Sequence, residues 1–174
     1  MTTGNTVQQL LKYFRFLTSA TNQHGVHSPF VYAYVTKCLY KKKPYRTSKS
    51  MKVLLKSTAY FNVERIRFLG DDGLCKALVL ENFPNIEMVS EAADIVFLPK
   101  NAPYGSVKDF LSHENAKHND TMLFYDAPHG SPQNEAIWQA LKAHRKVTVT
   151  IDMFYCGAVF FRREQAKEHF KIRI

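Results

Sequence analysis

The spacing of apolar positions changes once along the chain, close to residue 63. Before that point Val7, Leu10, Leu11 and Phe14, and then Val31, Tyr34, Val35 and Cys38, recur three and four apart, the spacing of one face of an α-helix. A third helix is expected to start at Thr47 or Ser48 and to carry Met51, Leu54, Leu55 and Thr58 on one side. From Arg65 onward the pattern becomes short apolar runs: "RIRFLG", "NIEMVS", "DIVFLP", "TMLFYD", "VTVTIDMF" and "GAVFFRR". Helical stretches near 73–83, 105–116 and 132–144 separate several of them, the last with Ile137, Ala140 and Leu141 toward the sheet. Strands alternating with helices predict an α/β fold with a mostly parallel sheet covered on both faces.

Two junctions refine this picture. "VTVTIDMF" and "GAVFFRR" are separated only by Tyr155 and Cys156, too little for a parallel crossover, so they are expected to form an antiparallel hairpin. "NIEMVS" and "DIVFLP" are also too close for a helical crossover. The reading favoured here is a lost helix, with a peripheral extended segment at 86–90 and a central strand at 94–98. The chain then divides into an N-terminal helical extension, residues 1–62, packed on an α/β domain, residues 63–174, as one structural unit.

Composition changes this picture only at the margins. A chain of 174 residues, 45% hydrophobic and 22% charged, suits one globular domain, and no apolar run reaches the roughly 20 residues that span a bilayer. The N-terminus lacks the basic and apolar regions of a secretory leader, so the expected location is the cytoplasm, with no membrane partner. Cys38, Cys75 and Cys156 are far apart and without metal spacing, and read as buried thiols. The net charge of +9 is concentrated at Lys41, Lys42, Lys43, Arg46, Lys49, Lys52 and Lys56. Such a run is either a solvated face or a contact surface for nucleic acid or an acidic partner.

Candidate chemistry is concentrated in "FYDAPHGSPQNEAIW". Ser131 and Pro132 have the form of an N-cap and a first helical residue, as do Ser28 and Pro29 in "HGVHSPFVY". Asp126 and His129 would lie in the loop leaving the carboxyl end of a parallel strand, where α/β sheets place their chemistry. A histidine near a carboxylate can serve as a general base, and Asp126 could instead hold a polar part of a ligand or satisfy turn amides. His24 and His27 have no third ligand at a helpful spacing, which argues against a metal. There is no GxSxG elbow, P-loop, HExxH or GxGxxG.

The stretch from Asp126 to Ile174, together with "HGVHSPFVYAYVTK", resembles a group of bacterial class I S-adenosylmethionine-dependent methyltransferases of the O-methyltransferase type. That group pairs an HGxHSPF motif with a D-D-I-H-W-S loop after its fifth strand. The resemblance implies a Rossmann-like methyltransferase fold, S-adenosylmethionine as cofactor and a small-molecule methyl acceptor. It places Asp126 and His129 in the active-site loop, although Tyr125 matches the first aspartate equally well after a one-residue shift, and Gly130 replaces the tryptophan.

The cofactor region departs from the family. Its glycine-rich turn corresponds to "FLGDDGL": Gly70 and Gly73 remain, Phe68 takes the acidic place, and Asp71 and Asp72 stand where small residues are expected. Glu91 has the spacing of the acid that holds the ribose, but "NIEMVS" looks more like the family's third strand, which would remove the second strand and its acid. Pro99 replaces an aspartate, and the acids for a magnesium-dependent reaction are not all present, so no metal is expected. Three readings remain: a methyltransferase-like pseudoenzyme with a degraded cofactor site, an active O-methyltransferase with Gly70, Asp71, Gly73 and Glu91 around the cofactor, and a basic binding module centred on Lys41, Lys42 and Lys43. The apolar N-terminal helix, with Phe14 and Phe16 on different sides, leaves room for a homodimer.

Overall fold

The computed structural model describes residues 3–174. Helices α1 (Thr3–Ser19), α2 (Pro29–Tyr34) and α3 (Lys49–Tyr60) precede the sheet, and a π-helical turn, Val35–Leu39, extends α2. The serines that mark helix starts in the sequence do so in space. Ser28, Ser48 and Ser131 each accept the backbone N–H three residues on, at 3.1–3.3 Å, satisfying a donor that the first helical turn leaves unpaired.

Among the described residues seven strands form one sheet: β1 (Arg65–Phe68), β2 (Glu87–Met88), β3 (Ile95–Leu98), β4 (Met122–Asp126), β5 (Val149–Asp152), β6 (Cys156–Phe160) and β7 (Glu168–Lys171). Their spatial order is β2-β1-β3-β4-β6-β5-β7, and only β6 runs antiparallel to its neighbours. The mostly parallel sheet therefore ends in the expected hairpin, β5–β6, and β6 inserts between β4 and β5. This is a Rossmann-like methyltransferase fold. The edge strand β7, parallel to β5, has no counterpart in the sequence-based expectation.

The short junction is explained by register. Met88 of β2 and Ile95 of β3 both pair with Ile66, from opposite sides of β1. The chain therefore has to cross only two inter-strand spacings, about 10 Å, with no return along the strand direction, which six residues span. No helix separates β2 from β3, and β2, within the 86–90 segment, is an edge strand beside β1.

The two faces of the sheet bury separate cores. One face, with Ile66, Phe97, Phe124, Ala158 and Phe160, packs against α2, α3 and α4 (Gly73–Asn82). The other, with Val96, Leu98, Leu123, Tyr125 and Val159, packs against α5 (Tyr104–Ser112) and α6 (Pro132–Ala143). On α2, its π-helical extension and α3 the residues expected to face inward are buried, Val31, Tyr34, Val35 and Cys38, then Leu54, Leu55 and Thr58, while Met51 is only partly so.

Helix α1 departs from expectation. It forms, but its periodic residues Val7, Leu10, Leu11 and Phe14 are all more than half exposed. The docked face carries Gln9, Tyr13, Phe16 and Ala20 instead. Gln9 Nε2 donates to the His129 carbonyl at 2.9 Å, Tyr13 meets Phe154 edge to face at 4.8 Å, and Phe16 and Ala20 are buried. The helix is anchored by aromatic and polar contacts that a hydrophobic periodicity does not register.

Gly157 on β6 leaves room for a neighbour. A Cβ there would lie 2.6 Å from two ring atoms of Trp138, which is itself buried on α6. Gly157→Ala should overpack this contact and destabilise the fold by about 1–3 kcal/mol. Urea denaturation measures it, and an unchanged midpoint would contradict the packing described here.

Candidate functional site

The carboxyl ends of β1, β3 and β4 are where a cofactor of this fold would sit. Gly70 follows β1 with φ of 142°, a conformation that favours glycine. A Cβ at this position would meet Pro99 Cγ at 3.0 Å, so the buried Pro99 ring crowds the turn from the end of β3. Phe68, in the acidic place, packs its ring against Phe97 with centroids 5.4 Å apart, and the Lys76 ammonium lies 5.6 Å over it.

The two aspartates of the turn have other uses. Asp72 is the N-cap of α4, its carboxylate accepting the Cys75 N–H at 3.0 Å. Asp71 is exposed and pairs with Lys76 at 3.2 Å. Gly73 begins α4 with open space around it. Glu91 lies in the crossover after β2, exposed, next to Ala92, whose N–H is held by the Asn115 carbonyl at 3.2 Å. Gly70, Asp71 and Gly73 share one turn after β1, and Glu91 follows β2, the strand beside β1, three residues past its end.

Asp126 ends β4 on the face covered by α3. Alternation puts its side chain with Phe124, and the Ser50 hydroxyl donates to its Oδ1 at 2.6 Å. Burial pushes the Asp126 carboxyl above the ordinary carboxylate range, and Asp72 adds to the shift, while the Ser50 hydrogen bond and Lys100 oppose it. The same apolar surroundings push the Cys75 thiol up to about 12, with Asp72 and Asp126 contributing, so neighbouring sulfur is held as inert thiol.

His129 faces the other way. Its Nε2 lies 2.8 Å from Oδ2 of Asp152, a buried carboxylate at the end of β5, on the side of the sheet that packs α6. The carboxylate that holds His129 is therefore Asp152, not Asp126 as their spacing in sequence suggests. A carboxylate acceptor requires the proton on Nε2, and Nδ1 lies 4.0 Å from Glu135. Asp152 Oδ1 also accepts the Phe154 N–H at 2.9 Å, and the Phe154 ring stacks on the imidazole at 5.2 Å with the planes 15° apart.

Phe154 adopts φ of 66°, a strained value for a bulky residue and of a kind that collects at functional sites. The dyad opens on a cleft of about 430 Å³ whose walls include Lys12, Arg15, Phe16, Glu135 and Lys171. The sheet thus brings Asp126 together with Ser50 and the Asp72 turn on one face, and His129 together with Asp152 and Phe154 on the other.

Ser50 and Asp152 were not singled out from sequence. Asp152 had a readable signal, an acid inside the otherwise apolar "VTVTIDMF". Ser50 had none, because a serine in the first turn of a helix reads as ordinary. Among the described residues no three histidine, cysteine, aspartate or glutamate side chains come together as a metal site. No described helix is long and apolar enough to cross a membrane.

Comparison with known proteins adds little. No family model matches the sequence, and no curated protein matches it. One similar solved structure is described as "putative caffeoyl-CoA O-methyltransferase from Staphylococcus aureus", with a TM-score of 0.46 and 9% identity over 88% of this chain and 99% of that one. The fold assignment rests on the strand order.

The Asp126 environment has a measurable signature. Its carboxyl is raised in the folded state, so the protonated form favours folding: the contribution is complete below about pH 4 and is lost as pH rises through the folded-state value. Asp126→Asn keeps an acceptor for Ser50 and removes the buried charge. The variant should be more stable than wild type at pH 7, with the difference closing as pH falls toward about 4. Denaturation across that range tests it, and a variant less stable at pH 7 would show that the charge is welcomed.

Proposed function

We propose that this chain is a methyltransferase-like protein whose S-adenosylmethionine site is degraded, so that the fold serves binding rather than catalysis. The observation that carries this reading is the separation of Asp126 and His129 by the sheet. Group transfer needs donor, acceptor and base in one pocket, with reacting atoms about 3–3.5 Å apart. Here the glycine turn and Asp126 lie toward α3 and α4, and the only base suggested by the sequence lies toward α6, bound to Asp152.

The cofactor turn supports the same reading. Pro99 crowds Gly70, Asp72 is committed to the helix it caps, and Asp71 turns outward to Lys76. Two carboxylates at this turn would also repel the carboxylate of the cofactor's methionyl group. These residues do not fit S-adenosylmethionine, and no catalytic step is assigned to it.

A second reading, an active small-molecule O-methyltransferase, is favoured by one observation. The His129–Asp152 pair, held under a strained Phe154 beside an open cleft, has the geometry of a general base and its orienting acid.

Titration calorimetry with S-adenosylmethionine and S-adenosylhomocysteine separates the two. The degraded-site reading predicts no heat, and no thermal shift, at millimolar ligand. Micromolar binding of either compound would overturn it and establish the second.

A further inference from the structure

The first acidic residue of the chain is Glu64. Residues 1–63 hold ten lysines and arginines and no aspartate or glutamate, while residues 64–174 hold fourteen cations against all fifteen acids. Eight of the ten cations, from Lys37 to Lys56, therefore belong to the helical layer that covers one face of the sheet, while Lys12 and Arg15 lie on α1 beside the His129 cleft. A charge run in sequence is most often a solvated face, so spatial convergence decides whether it is more than that.

Convergence is present. Lys37 from the π-helical turn, Lys41 and Lys43 from the loop after it, and Lys56 from α3 line one cleft of about 300 Å³, with Tyr60 in its wall. Several cations elsewhere have acidic partners: Lys12 with Glu135, Arg65 with Asp94, Lys76 with Asp71, and Arg162 with Asp120 and Glu164. Lys37, Lys41 and Lys43 have no ion pair among the described residues, and Lys56 donates to the Leu39 carbonyl at 2.6 Å. Burial holds the Lys56 ammonium below the ordinary lysine range, with Cys38 opposing the shift and the nearby Lys52 adding to it.

The positive surface continues beyond the cleft. Lys49, Lys52 and Lys56 follow the i, i+3, i+7 spacing of one helix face, a stripe of about 10 Å along α3. That length exceeds one phosphate and suits a repeating anion. Lysine, a mobile point charge, tolerates the variable geometry of a flexible backbone better than a fixed guanidinium fork.

The aromatic residues narrow the class. Tyr40 is 38% exposed, and the Tyr60 ring lines the cleft, offering faces on which unpaired bases stack. The exposed leucines and valine that an acyl layer would accept, Val7, Leu10 and Leu11 on α1 and Leu74 and Leu80 on α4, are on other helices than these lysines.

We propose that the acid-free face formed by Lys37, Lys41, Lys43, Lys52 and Lys56 binds the phosphate backbone of single-stranded nucleic acid, with Tyr40 and Tyr60 as stacking surfaces. This function stands apart from the cofactor turn and from the His129 cleft, and does not depend on whether either is active.

Fluorescence anisotropy of the full chain with a labelled mixed-sequence 15-mer, as RNA and as DNA, over 50–250 mM salt tests it. Three or four phosphate contacts give a log–log salt slope of about −2 to −3 for single strands. Lys37→Glu with Lys43→Glu, neither of which carries a structural bond described here, should weaken binding at least tenfold and flatten the slope. Lys108→Glu with Lys142→Glu makes the same change of net charge on α5 and α6 and should alter affinity less than twofold. Circular dichroism confirms that each variant is folded. The proposal is overturned by no binding at 50 mM salt, by equal losses in both double variants, or by preference for a duplex of the same sequence. Tighter binding of an acidic peptide or of phosphatidylserine vesicles than of the oligonucleotide would likewise overturn it and assign the face to that partner.

Discussion

The arrangement depends on covering one apolar face of the sheet with material from outside it. Ile66, Phe97, Phe124, Ala158 and Phe160 would face water if α4 were their only cover, since the short β2–β3 crossover supplies no helix. The segment from Val26 to Val63 provides that cover. Tyr34 stacks on Phe61 at 5.3 Å and meets Phe160 edge to face at 5.9 Å, and its hydroxyl bonds Ser57 at 2.6 Å, so one buried aromatic ties α2 and α3 to the sheet. Docking of the helical layer thus removes both apolar surfaces from water together.

That cover has a chemical consequence. Docking α3 places its first turn over the end of β4, and Ser50 meets Asp126 there. A carboxylate that could point at a ligand is instead desolvated and hydrogen-bonded within the core wall. The polar residues of the neighbouring turn are committed in the same way, Asp72 to a cap and Asp71 to an exposed ion pair. The polar residues at the carboxyl ends of β1 and β4 are thus engaged in interactions within the fold.

The sequence made much of this legible, for identifiable reasons. Helices α2, α3, α4 and α6, the central strands and the terminal hairpin follow from periodicity, caps and loop length, which are local properties. The missing crossover helix was legible because chain length limits reach. What escaped was non-local. The orientation of α1 depends on Tyr13 and Phe16 finding Phe154, and Gln9 finding the His129 carbonyl, while its most periodic residues stay outside. Strand β7 depends on pairing with β5, and its short alternating pattern, half exposed, carries little signal.

The site shows the same limit more sharply. Asp126 and His129 are three residues apart, and proximity in sequence suggests that they act together. Side chains alternate across a sheet, so the carboxyl end of a strand is a divide: Asp126 keeps the register of Phe124, and the chain must turn through Ala127, at φ of 53°, before His129 emerges toward α6. There it meets Asp152, the last residue of a strand 23 positions later. Sequence spacing identifies which residues share a loop, but the pleat decides which share a pocket. In this fold that distinction separates a carboxylate on the α3 side from a histidine with its own acid and its own cleft.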